Sequence, residues 1–204
     1  MQNKDLGDEI GAVPVIDIGA LSTRGDVADI EVTDQAIAAA CRDWGFFTIV
    51  NHGLSAPLID RVWANCHNFF HLPRAIKERI SRTEANPWGY YNRELTKNRR
   101  DLKEIFDFGP DSTSMNTDQP FQGENQWPEV PATFRDTMMS YFTACEMVSE
   151  TLVASFCRGL GLPADHLVPH FRGTHTSFMR VNYYPVGDPL SDQRFAQLRI
   201  LLAR

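Results

Sequence analysis

The chain has 204 residues, with 20 Lys and Arg against 26 Asp and Glu, a formal net charge of −6 and 43% hydrophobic residues. That balance excludes a binder that blankets nucleic-acid phosphates with cations, and it suits a globular chain able to bury a core without disulfides or a structural metal. No apolar run reaches the roughly 20 residues of a membrane helix, and MQNKDLGDEIG at the start is no secretory signal, so a cytoplasmic protein without membrane contact is expected.

VPVIDIGAL at 13–21 is a short apolar run with proline near its start and reads as a buried strand. Ile37, Ala40, Cys41 and Trp44 recur at i, i+3, i+4 and i+7, which predicts a helix over 34–44 closed by Gly45. FFTIVNHG at 46–53 is aromatic and β-branched, a strand ending in an Asn-His-Gly turn. Ser55 is a candidate N-cap for a helix whose stripe is Ile59, Val62, Cys66 and Phe69 or Phe70, with Pro73 interrupting it and RAIKERI forming a short second helix. Strands are expected around Gly89–Asn92 and Glu104–Phe108, flanking a charged loop. Residues 111–131, rich in proline and small polar residues, read as a long surface connection.

From 132 to 161 runs the longest periodic element, with a stripe of Phe134, Met138, Tyr141, Cys145, Val148, Leu152 and Phe156. About 28 residues of helix is ~42 Å, enough to brace a domain. LPADHLVPHF adds a helical turn or two, and in THTSFMRVNYYP at 174–185 the residues alternate. Phe178, Arg180, Asn182 and Tyr184 face one way, and Met179, Val181 and Tyr183 the other. The tail SDQRFAQLRILLAR places Phe195, Leu198 and Leu202 at i, i+3 and i+7 and reads as a short basic amphipathic helix.

Few motifs carry chemistry. No phosphate-binding glycine loop, nucleophile elbow or HExxH occurs. Cys41, Cys66, Cys145 and Cys157 form no CxxC and read as small buried hydrophobes, with a catalytic thiol as the alternative. His67 and His71, at i and i+4, either flank the core stripe or grip a zinc ion with a distant third ligand. His166 and His170 share that spacing, but Pro169 spoils the turn between them. On the last strand a cation, an amide and a phenol share one face. Those groups suit a carboxylate in a polar pocket, or a face that meets water.

PVIDI at 14–18, DWGFFTIVNHG at 43–53, FFHLPRAIKE at 69–78, GYYN at 89–92, KEIFDFG at 103–109, WP at 127–128 and RVNYYP at 180–185 follow a recognisable order. In that order the chain, to about residue 187, resembles the isopenicillin-N-synthase-like non-haem Fe(II), 2-oxoglutarate-dependent dioxygenases. The resemblance implies an α+β fold. Its N-terminal α/β section (residues 10–110) and long brace helix lead into a double-stranded β-helix, or jelly roll, that opens with the strand at 174–187. It also implies an oxidoreductase in which Fe(II), held by two His and one carboxylate, works with 2-oxoglutarate and O₂ to oxidise a small organic substrate. Asn182 and Tyr184 would help hold the co-substrate carboxylate, with Arg180 as a further cation on that face.

The resemblance also implies an HxD pair after NYYP, a later His and an RxS, and none of these is in the sequence. No catalytic residue or iron ligand can be assigned from motif positions. A truncated, inactive product is therefore expected, its jelly roll stopping after one strand and its tail at 188–204 atypical. Phe178–Pro185 would then be an unprotected edge prone to self-association. The alternative function is a non-catalytic interaction module that binds another protein through that edge.

Overall fold

The computed structural model describes residues 12–22, 25–111, 123–171, 177–185 and 196–201. The chain forms two compact units that are not consecutive in sequence: Met1–Leu54 with Ala144–Gly173, and Ser55–Thr143 with Thr174–Arg204.

In the first unit β1 (Val15–Asp17) lies parallel to β2 (Thr48–Val50), with Ile16 opposite Ile49. Parallel neighbours need a crossover, supplied here by α1 (Gly19–Ser22) and α2 (Val27–Asp43). The second helix starts well before the expected residue 34. Val27 and Val32 are exposed, so its first turns carry no apolar stripe for periodicity to detect. Thr33 sits inside the helix, where its hydroxyl donates to the Asp29 carbonyl at 2.9 Å. Gly45 closes it at φ +77°, a left-handed cap that a side chain would strain. Ile16, Ile18, Ile37 and Ala40 form the core, joined by Phe47, Ile49, Val148 and Leu152. Arg158 adds a two-pronged bond to Asp34, at 2.5 and 2.9 Å.

In the second unit Ser55 caps α3 (Ala56–Phe70) as expected, accepting from the Leu58 N–H at 3.3 Å. Pro73 then opens the short α4 (Arg74–Lys77), followed by a 3₁₀ turn at Glu78–Ile80. β3 (Gly89–Tyr91) and β6 (Glu104–Phe108) fall where the sequence predicts strands. Between them the expected charged loop is a hairpin, β4 (Leu95–Thr96) and β5 (Arg99–Arg100), around Lys97 and Asn98 at φ 51° and 59°. That is the conformation of a two-residue hairpin turn. β7 (Met179–Pro185) and β8 (Ala196–Leu201) complete a four-stranded antiparallel sheet in the order β3-β6-β7-β8. Phe69, Phe106 and Phe134 pack with ring centroids 5.1–5.2 Å apart beneath it. Trp127, from the expected surface connection, packs on Phe106 and Phe108.

Helix α5 (Phe134–Gly159) contributes residues 134–143 to the second unit and 144–159 to the first. The expected stripe holds for Phe134, Met138 and Cys145, but Phe156 is 36% exposed while Ser155 and Cys157 are fully buried. A stripe read in steps of seven drifts by about 20° per heptad against a helix of 3.6 residues per turn.

Two expectations fail at the tail. Ala196–Leu201 is a strand and not an amphipathic helix, because AQLRIL also alternates with period two and β7 offers it a ladder. Consequently β7 is not an open edge: β6 pairs with one side of it and β8 with the other. Residues 186–195 and 202–204, with the rest of the tail motif, lie outside the described residues. No helix among the described residues is long and apolar enough to cross a membrane.

Candidate functional site

Residues directly opposite in an antiparallel ladder share a face. The register places Asp107 opposite Arg180, Ile105 opposite Asn182 and Tyr91 opposite Ile105, so Tyr91, Asp107, Arg180, Asn182 and Tyr184 belong to one polar face. Arg180, Asn182 and Tyr184 therefore come together as alternation predicts. Asn182 is buried and Tyr184 half-buried, while across the next ladder Arg199 is the register partner of Asn182 and Gln197 that of Tyr184.

Arg180 is fully engaged on this face. Its Nε and Nη2 donate to the two oxygens of Asp107 at 2.7 and 2.8 Å, and its Nη1 donates to Glu94 at 2.9 Å. Arg82 reaches Asp107 at 3.5 Å and stacks its guanidinium over the Tyr91 ring at 3.7 Å. Lys103 bridges Glu94 at 2.8 Å and Asp101 at 3.3 Å. Three cations thus meet three carboxylates. Burial pushes the Asp107 carboxyl up against the pull of Arg180 and Arg82. Burial also opposes the charge of Glu94, but its bond to Lys103 and the nearby Arg180 prevail and hold it below the usual carboxylate range. The bond to Asp107 raises Arg180 further.

The opposite face holds a second buried ionic group that periodicity does not single out. Lys77 Nζ donates to the Phe70 carbonyl at 2.8 Å and to Glu104, which also accepts from the Tyr90 hydroxyl at 2.7 Å. All three residues are buried, and burial together with the Glu104 charge pushes the Tyr90 phenol well up. The carboxylates inside KEIFDF were the available signal, since a charge in an otherwise apolar strand demands a partner.

Elsewhere, His67 and His71 stack with ring centroids 4.0 Å apart, and His71 Nδ1 lies 2.7 Å from the His67 carbonyl. Cys66 is fully buried beside Met138, and burial pushes its thiol up to about 12. In the other unit, Asp17 is held below its usual value by the Gly19 N–H and the Asn51 amide. Among the described residues no group of three or more His, Cys, Asp or Glu could hold a metal ion, so they do not fit the iron centre that the resemblance implies.

The family described as "non-haem dioxygenase in morphine synthesis N-terminal" matches residues 13–130. The chain belongs to this family. Jasmonate-induced oxygenase 2 of Arabidopsis thaliana is 30% identical over 174 residues, covering 85% of this chain and 46% of the oxygenase. A homoarginine-6-hydroxylase of the same plant is 32% identical over 162 residues, covering 73% of this chain and 45% of the hydroxylase. The chain spans about half the length of the curated relatives it matches. Among solved structures, JOX2 in complex with 2OG, Fe and JA has a TM-score of 0.66 at 29% identity, over 84% of this chain and 48% of its own. A 2OG-Fe(II) oxygenase family protein from Caulobacter crescentus has a TM-score of 0.73 at 18% identity, over 85% and 56% respectively. The mixed helix-and-sheet fold of this family member is therefore that of 2-oxoglutarate oxygenases.

Proposed function

We propose that these residues are the N-terminal, co-substrate-side part of an Fe(II)/2-oxoglutarate-dependent dioxygenase. It oxidises a small organic substrate while 2-oxoglutarate is decarboxylated to succinate. The sheet β3-β6-β7-β8 opens a jelly roll. The observation that carries this reading is the polar face of β7, with Asn182 and Tyr184 two residues apart on a strand flanked on both sides, in a member of the non-haem dioxygenase family. The Asn182 amide and the Tyr184 hydroxyl donate hydrogen bonds to one carboxylate of 2-oxoglutarate, and partial burial strengthens those bonds by excluding water. Arg180, committed to Asp107 and Glu94, orients the strand. When bound, Fe(II) supplies the oxidising chemistry with O₂. The residues assigned here do not supply its ligands, and without other residues to hold the metal no turnover is expected. The JOX2 neighbour, solved in complex with 2OG, Fe and JA, supports a small-molecule substrate.

Calorimetric titration of the chain with 2-oxoglutarate tests the reading. Asn182→Ala and Tyr184→Phe should each weaken binding about tenfold, and added Fe(II) should give neither a charge-transfer band nor succinate. Binding unaffected by both substitutions would overturn the assigned roles, and succinate from the chain alone would overturn the need for other residues.

A second reading, a non-catalytic interaction module that binds another protein, a second copy of this chain included, through a sheet edge, rests on β8, whose described pairing lies only on its β7 side. Sedimentation showing a monomer at all concentrations would dismiss its self-associating form.

A further inference from the structure

The β4–β5 hairpin has little of its own to hold it. Its ladder is two residue pairs, Leu95 with Arg100 and Thr96 with Arg99, and so short a ribbon is not stable alone in water. Nor does an apolar core secure it, since Leu95 and Leu102 are 65% and 50% exposed. What ties it down is charge. Glu94, immediately before β4, accepts from Arg180 Nη1 at 2.9 Å and forms an ion pair with Lys103, beyond β5, at 2.8 Å. Its carbonyl accepts from the Asp101 N–H at 2.8 Å, so both stems converge on Glu94.

Arg180 can anchor them because it is itself immobilised. Asp107, directly opposite on β6 and nearly fully buried, takes Nε and Nη2 in a two-pronged bond, which fixes the guanidinium plane and leaves Nη1 aimed at Glu94. With Arg82 and Lys103 the group holds three cations and three carboxylates, so its work is geometric and leaves no net charge to draw an anion.

We propose that Arg180 is a positioning residue. Through Glu94 it couples the β4–β5 hairpin to the strand carrying Asn182 and Tyr184, so that ordering one orders the other; this rests on the co-substrate role given above to those two residues. A strand forked to its neighbour at Arg180 resists the twist and slide that would carry Asn182 and Tyr184 out of place. The coupling is reciprocal, because a ligand that stabilises the strand must also stabilise what the strand holds.

Trypsin cleaves after Lys97, Arg99 and Arg100, which reports directly on the hairpin. In the ligand-free full chain, Glu94→Gln keeps the Arg180–Asp107 pair and should speed cleavage there about tenfold, with the tryptophan-fluorescence melt still a single cooperative transition. Arg180→Lys keeps the charge, loses the fork and should also speed cleavage at the hairpin. Saturating 2-oxoglutarate should slow hairpin cleavage in the wild type and leave Glu94→Gln unaffected, a response that a merely structural contact would not give. A wild-type cleavage rate in Glu94→Gln, or equal protection of both proteins by 2-oxoglutarate, overturns the proposal. If the wild type does not bind 2-oxoglutarate, the co-substrate reading and the coupling fall together, and the ligand-free rates still decide whether Glu94 anchors the hairpin.

Discussion

The buried Lys77–Glu104 pair offers the sharpest test of the packing. Lys77 is 1% exposed and Glu104 7% at the side chain, and the lysine also donates to the last-turn carbonyl of Phe70 in α3. Replacing Lys77 with Met fills the volume and removes the cation, leaving Glu104 the Tyr90 hydroxyl at 2.7 Å in place of a cationic donor. A buried charge stripped of its partner costs about 3–5 kcal/mol, whereas replacing the whole pair with uncharged groups is often near neutral. Lys77→Met should therefore destabilise by ~3–5 kcal/mol, and Lys77→Met/Glu104→Gln should recover most of that loss. Urea unfolding at neutral pH, followed by tryptophan fluorescence and with the m-value checked for constancy, gives both numbers. Additive single effects in the double mutant would refute the reasoning, because they would mean that Glu104 does not need Lys77.

Three further outcomes are expected. Native protein treated with a thiol reagent at about pH 8 should modify the exposed Cys41, while Cys66, whose thiol burial pushes up to about 12, should react only after unfolding. Gly89→Ala should cost about 2 kcal/mol or more in a urea melt, since Gly89 sits at φ +117° and an added Cβ would lie 2.2 Å from the Ile80 carbonyl oxygen. Glu94 is held below its usual carboxylate range, so its stabilising share is full above the unfolded value and lost as pH falls through the lower folded one. Melting temperature should therefore drop more in the wild type than in Glu94→Gln below about pH 4.

Where a local pattern and a buried face coincide, the sequence was legible. Ser55 caps α3 through its side-chain oxygen, Glu104–Phe108 forms β6 from a short aromatic and β-branched run buried on both faces, and Met179–Pro185 alternates with its polar face as expected, each from a signal that is local in the chain. Legibility ended where tertiary partners decide. Leu198, Ile200 and Leu202 alternate as well as Phe195, Leu198 and Leu202 step by helical turns, so an apolar tail this short carries both periods at once. The ladder offered by β7 selects the strand. Likewise the first turns of α2 expose Val27 and Val32 and carry no stripe to read.

The site divides along the same line. Alternation alone puts Arg180, Asn182 and Tyr184 on one face, yet it cannot say whether the cation is free, because that depends on carboxylates 73 and 86 residues away in the chain. Asp107 and Glu94 take up Nε, Nη1 and Nη2 of the guanidinium, and with Asp101 their charges balance those of Arg180, Arg82 and Lys103. An arginine balanced in this way attracts a ligand carboxylate far less than an unpaired one would, since an incoming anion must displace Glu94 or Asp107 before it gains a charge-assisted bond. Asn182 and Tyr184 carry no such competitor charge. With 2-oxoglutarate on the face, Arg180→Lys should alter hairpin order before it alters ligand charge recognition, and the two effects separate in salt: screening would weaken a direct ionic contact while leaving the buried Asp107 fork nearly untouched.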